Sequence, residues 1–122
     1  MVQADNRKQK GAQTWEEVMQ TAAPVTLDTP VLEKARDFVM AEVWARDGLD
    51  RRSQRWISLA CACAARTPSA IRIYMKAALD SKDITVAEMR EFILLFAAYQ
   101  GFPKAVEVEL ALNEILGEGA SK

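Results

Sequence analysis

The chain has 122 residues, 50% of them hydrophobic and 27% charged, which is the size and mix of one compact domain. Sixteen basic against seventeen acidic side chains leave a formal net charge of -1, so charge supplies no drive toward nucleic acid or a membrane surface. The histidine count is 0, which removes the commonest metal ligand, the usual general base near neutral pH, and every Ser-His or Cys-His nucleophile. Any chemistry must run on carboxylates, arginines, tyrosines or thiols.

In chain order, Met1 to Gln13 is polar, with Arg7, Lys8 and Lys10 clustered, and reads as a flexible or loosely docked N-terminal arm (1–13) ahead of a helical domain (14–117). It lacks the apolar run of a secretory leader, and with the two free thiols the chain reads as cytoplasmic. Thr14 is expected to cap a short first helix, with Trp15, Val18 and Met19 forming its apolar stripe. Thr29 with Pro30 opens the second helix, about 30–44, in which Val31, Ala35, Phe38 and Val39 share a face. Glu42 falls on that same face, either in a salt bridge to an arginine or as a site carboxylate.

Asp47 to Leu49 is a turn, and Asp50 a fair cap for a third helix, about 51–65, whose core face is Trp56, Leu59, Ala60 and Cys63. Cys61 and Cys63 point about 200° apart on that helix, so they neither bridge nor form a redox pair. Arg51, Arg52 and Arg55 cluster in its first two turns, against the helix dipole. Two readings offset that cost: guanidinium forks awaiting an anionic substrate, or pairing with acids such as Glu42, Asp47 and Asp50.

Thr67 with Pro68 starts the fourth helix, about 68–80, with Ile71, Tyr74, Met75 and Ala78 inward. After a linker from Ser81 to Ile84, Thr85 and Glu88 make a capping box for the fifth helix, about 86–100, closed by Gly101. Its stripe of Met89, Ile93, Phe96 and Ala97 is doubled by Phe92, Leu95 and Tyr99, so burial on two sides, hence oligomerisation, is expected. A sixth helix, about 104–116, carries Ala105, Val106, Leu110, Ala111 and Ile115, and 118–122 reads as a frayed tail. With no strand pattern, the predicted class is all-α.

Three ordered stretches carry a family resemblance. Glu42-Val-Trp-Ala-Arg-Asp-Gly-Leu-Asp-Arg-Arg-Ser53, then Tyr74 to Leu79 with Thr85 to Glu88, then Ala98-Tyr-Gln-Gly-Phe-Pro-Lys-Ala105 resemble the carboxymuconolactone decarboxylase family. With a fainter match around Arg7 and Gly11, the likeness runs from about residue 7 to about residue 116.

The resemblance implies an AhpD-like helical fold of about six helices in homo-oligomers, trimers or hexamers, acting on a small carboxylated lactone or related enolisable acid in aromatic catabolism. It implies a lyase without metal or organic cofactor. It also locates a departure: Tyr74 stands where the lactone decarboxylases carry histidine. Against the peroxidase branch of the fold, Arg55 replaces a glutamate and Thr67 and Ala70 replace the cysteine pair, so the thiol relay is lost. Between Leu79 and Thr85 there is one extra residue, with Lys82 and Asp83 in place of a glycine turn.

The expected roles are then Tyr74 as proton donor or oxyanion stabiliser, Arg55, Arg51 or Arg52 as carboxylate anchor, and Glu42 orienting an arginine. The alternative is a member that does not decarboxylate: another small-molecule isomerase or lyase, or a ligand-binding protein.

Overall fold

The structure is a computed structural model, and it describes residues 2–22 and 29–121. Every regular element among them is helical, six helices in chain order: α1 (Val2–Met19), α2 (Pro30–Lys34, widening into a π-helical stretch Ala35–Trp44), α3 (Arg51–Ala64), α4 (Pro68–Asp80), α5 (Val86–Gln100) and α6 (Phe102–Ser121). The packing divides the chain into two compact units, Met1–Asp50 and Arg51–Lys122, where composition alone predicted one domain.

In the first unit, α1 begins at Val2 rather than at a Thr14 cap, so most of the polar arm is helical. Thr14 lies buried in mid-helix, and Val18 and Met19 are buried as expected. The approach of α1 to the π-helical stretch is set by Gly11. A methyl group there would stand 2.3 Å from the Arg36 carbonyl oxygen, so only hydrogen fits.

The face predicted for the second helix is not the buried one. Val31 is 78% and Phe38 52% exposed, while Arg36, Met40, Ala41 and Trp44 are buried. A π-helix closes its bonds over five residues rather than four, so a stripe laid out for an α-helix drifts off the packed side. The buried Arg36 donates from Nη2 to Asp37 Oδ2 at 3.0 Å. That hydrogen bond holds the Asp37 carboxyl below its usual range.

The second unit has one apolar cluster, drawn from all four of its helices and the linker: Leu59 and Cys63 of α3, Ile71, Met75 and Ala78 of α4, Ile84, the α5 stripe, and Ala105, Val108, Leu112 and Ile115 of α6. Direct packing joins α3 to α4 and α6, α4 to α6, and α5 to α6. The predicted α5 stripe of Met89, Ile93, Phe96 and Ala97 is buried throughout, and the Thr85–Glu88 capping box forms with both of its bonds.

Other faces shift. On α6, Val106 and Leu110 are exposed and Val108 and Leu112 are buried instead. On α3, Trp56 and Ala60 are half-buried at the edge. Helix α6 continues past Gly117, and Glu118 pairs with Arg72 at 2.5 Å. Thr67 holds an extended conformation ahead of Pro68 without capping α4; its hydroxyl donates back to the Ala62 carbonyl at 3.0 Å.

Three helices end on a residue that is not glycine yet has positive φ: Gln20 (60°), Arg66 (56°) and Lys82 (68°). After α4 this turns the chain sharply. Lys82 N–H donates to the Leu79 carbonyl and Ile84 N–H to that of Ala78, closing the helix as a glycine cap would.

Candidate functional site

Five side chains were expected to carry function: Glu42, Arg51, Arg52, Arg55 and Tyr74. Glu42 belongs to the first unit and the other four to the second. Glu42 is paired with Arg7 of α1, Nη2 to Oε1 at 2.6 Å. The arginine beside it is therefore one from the predicted arm.

Arg55 is the most deeply buried charge of the second unit among the described residues, 3% exposed. An unpaired guanidinium there would be prohibitive. Its Nε donates to Asp83 Oδ2 at 2.7 Å. Arg52, one turn earlier, donates from Nη1 to the Asp83 backbone carbonyl at 2.7 Å and bidentately to the Glu88 carboxylate. Its guanidinium also lies 5.9 Å from the centroid of the Trp56 ring. Two of the three clustered arginines thus converge on the linker and on the capping box of α5. Arg51, the first residue of α3, is half-buried.

Glu88 has a double role. It accepts from Thr85 N–H at 3.0 Å as the return arm of the capping box and accepts from Arg52 as well. The Arg52 hydrogen bonds, then that from the Thr85 backbone, hold its carboxyl down at about 2.

Tyr74 sits on α4, half-buried, packed against the apolar cluster. Burial pushes its phenol above the ordinary value of 10.0, so the hydroxyl is a donor rather than a base at neutral pH. Cys63 is sealed in the same cluster, and desolvation pushes its thiol up to about 12, whereas Cys61 is exposed. The two thiols therefore do not share an environment.

An open groove of about 870 Å³ lies between α3 and α5, within the size of small-molecule pockets. Trp56, Ile57, Ala60, Phe92 and Leu95 form its walls, and Arg52, Glu88 and Glu91 supply its charge. The Trp56 and Phe92 rings meet at 5.2 Å between centroids. Tyr74 and Arg55 are not among the groove's lining residues. Among the described residues, no group of three or more cysteines, aspartates and glutamates is placed to hold a metal ion. No described helix is long and apolar enough to cross a membrane.

Sequence reasoning missed Asp83 and Glu88 as arginine partners, and Arg7 as the partner of Glu42. The signals were present. Asp83 lies in the linker whose length and residues depart from the family resemblance, and Glu88 was already marked as the third residue of a helix cap.

Residues 30–114 match the carboxymuconolactone decarboxylase family, and the chain belongs to it. The nitrosuccinic acid decarboxylase npaB of Metarhizium robertsii is 24% identical over 112 residues, covering 92% of this chain and 76% of that protein. The 4-carboxymuconolactone decarboxylase of Acinetobacter baylyi is 30% identical over 66 residues, covering 54% of this chain and 48% of that protein.

Proposed function

We propose that this protein is a cofactor-free decarboxylase of a small acid that carries a second carboxylate or a lactone. The observation behind this reading is that two relatives of different substrate both bear the name of a decarboxylase. The two named acids share one chemical property. In each, the electron pair left by departing carbon dioxide has electron-withdrawing oxygens to move onto, those of a nitro group or of a conjugated lactone carbonyl.

The step balances simply. The bond from carbon to the carboxylate breaks, carbon dioxide leaves, the electron pair delocalises onto oxygen, and one proton is returned to carbon. In this reading Tyr74 donates a hydrogen bond to the developing oxyanion or delivers that proton. Arg55, Arg51 or Arg52 holds the carboxylate that stays, and Glu42 orients Arg7. Homo-oligomers of three or six copies, a cytoplasmic setting, no nucleic-acid partner and a place in aromatic catabolism complete the proposal. The apolar residues left exposed on α5 and α6 support the oligomer.

A second reading has its own support. Arg52 and Arg55 already have carboxylate partners in Glu88 and Asp83, and the chain has no histidine. Both facts suit a family member with another reaction, an isomerase or a different lyase, or a binding protein.

Carbon dioxide release from nitrosuccinate, 4-carboxymuconolactone and related β-keto acids separates the two. Turnover of any one of them supports the first reading. Ligand-induced thermal stabilisation without release of carbon dioxide supports the second.

A further inference from the structure

The groove between α3 and α5 is a gap left by the packing of other helices. Helices α3 and α5 each pack on α6 rather than closely on one another, so side chains facing the space between them stay open to solvent. Arg52 meets Glu88 at one end, and one turn further along both helices the Trp56 and Phe92 rings meet at 5.2 Å between centroids, inclined by 35°. Ile57, Ala60 and Leu95 continue the apolar walls over a volume of about 870 Å³. Ile57 is 52% exposed, so this wall leaves apolar area that the body of a small ligand would cover.

The charge of the groove has one sign left over. Arg52 donates to both oxygens of Glu88 and to the Asp83 carbonyl, so its guanidinium is already engaged and the Glu88 carboxylate already answered. Glu91, one turn beyond Glu88 on the same face of α5, is the third charged lining residue. It is exposed and makes no hydrogen bond or ion pair with any described residue. One cation against two carboxylates leaves the groove with a single negative charge, and it sits on Glu91. An incoming anion is repelled by that charge. A cation gains at two points, the Glu91 carboxylate and the electron-rich ring faces of Trp56 and Phe92. The Arg52 guanidinium, 5.9 Å from the Trp56 centroid, shows that positive charge is accommodated beside this ring.

We propose that the groove is a binding site for small organic ammonium ions with an aromatic body, the ammonium at Glu91 and the body against Trp56, Phe92 and Ile57. Such a ligand is opposite in charge to the acids of the proposed reaction. Neither Tyr74 nor Arg55 lines the groove, so the site stands apart from the decarboxylase reading and does not rest on it.

The test uses the full chain labelled with nitrogen-15 and three probes that share a phenylethyl body: phenethylammonium, 2-phenylethanol and 3-phenylpropionate. Among the signals of the three tryptophans, the Trp56 indole N–H is assigned by its loss in Trp56→Phe. In the wild type, phenethylammonium should shift this signal saturably and bind about fivefold more tightly than the alcohol, as a partly exposed ion pair joined to a cation–π contact would give. The propionate should bind most weakly. Glu91→Gln keeps the shape and removes the charge, so it should bring the ammonium to within about twofold of the alcohol. Glu91→Lys should place the propionate ahead of the ammonium.

Position 91 is exposed, so both variants should keep the helical circular dichroism of the wild type. Ile57→Ala, on the opposite wall, should weaken all three probes by a similar factor of about three, because it removes contact with the shared body and touches no charge. Wild-type binding in Ile57→Ala overturns the proposal, as does a preference for the ammonium that is absent from the wild type or survives Glu91→Gln. A second copy seated over the groove gives another pattern: the Trp56 signal moves on dilution of the protein alone and shows no saturable response to the amine. That outcome overturns the proposal too and assigns the groove to self-association.

Discussion

At the scale of single residues, several groups have surroundings that suppress one protonation state. Tyr74 is the clearest. Half-burial raises its phenol above 10.0, so donor function is fully present below that pH and is lost only as pH rises through the raised value. Under the proposed mechanism, Tyr74→Phe should lower the decarboxylation rate by about a hundredfold or more, with the fold retained, because only a hydroxyl is removed. Equal rates for the two proteins would remove Tyr74 from the mechanism.

Glu88 shows the opposite sign. Its carboxyl titrates at about 2 when folded against 4.5 ordinarily, so its contribution to stability is present above about 4.5 and drains away as pH falls toward 2. Glu88→Gln should flatten the urea midpoint across that window. A parallel fall in both proteins would show that the Arg52 pairing contributes nothing to acid resistance.

Both Arg52 and Arg55 were legible as a cluster, since cations at a helix start need an explanation. Their partners were not. Asp83 and Glu88 lie 28 and 36 residues further along the chain, and no local spacing rule reaches that far.

At the scale of elements, two backbone positions carry sharp expectations. Gly11 faces the Arg36 carbonyl at a distance that admits no side chain. Gly11→Ala should force α1 off the π-helical stretch and destabilise the first unit by about 1–3 kcal/mol, as overpacking does. Guanidinium melts followed by tryptophan fluorescence read this through Trp15 and Trp44, and an unshifted midpoint would contradict the close approach.

Lys82 sits at φ 68°, where a β-carbon costs about 1 kcal/mol. Lys82→Gly should therefore raise stability by up to about that amount. A drop would mean that the lysine side chain contributes more than its strain.

Element boundaries were readable wherever local chemistry wrote them. The Thr85–Glu88 capping box, Gly101, and the prolines at positions 30 and 68 put α5, the start of α2 and α4 where sequence expected them. Two helix ends escaped for a physical reason. Helix α1 is stabilised by packing of its small and apolar residues on the π-helical stretch, which outweighs its polar composition, and α6 runs on through Gly117 while Arg72 holds Glu118.

At the scale of the whole molecule, the chief feature is apolar surface without cover. Leu94 and Leu95 are 62% exposed, Tyr99 82%, and Phe102, Val106 and Leu110, spaced one turn apart along α6, are more than half exposed. An exposed apolar row of this kind, one turn apart along a helix, marks an interaction surface. If these side chains close an interface between copies, as proposed, light scattering should give a multiple of 13.6 kDa. Replacing Leu95 and Val106 together by glutamate should then reduce the mass toward one chain without changing the helical circular dichroism. A monomeric wild type would reject the oligomer outright.

The sequence by itself determined the all-helical class, the family, most helix starts, the inner face of α5 and the absence of histidine chemistry. These follow from periodicity, caps and residue identity, all of which act within a few residues of chain. Only the tertiary structure decided which face of the second helix is buried, which acids answer the arginines, and that Asp83 stands against Arg55. Those outcomes depend on which segments meet across a folded core, and a buried charge takes its partner from whatever segment the packing brings within hydrogen-bonding distance.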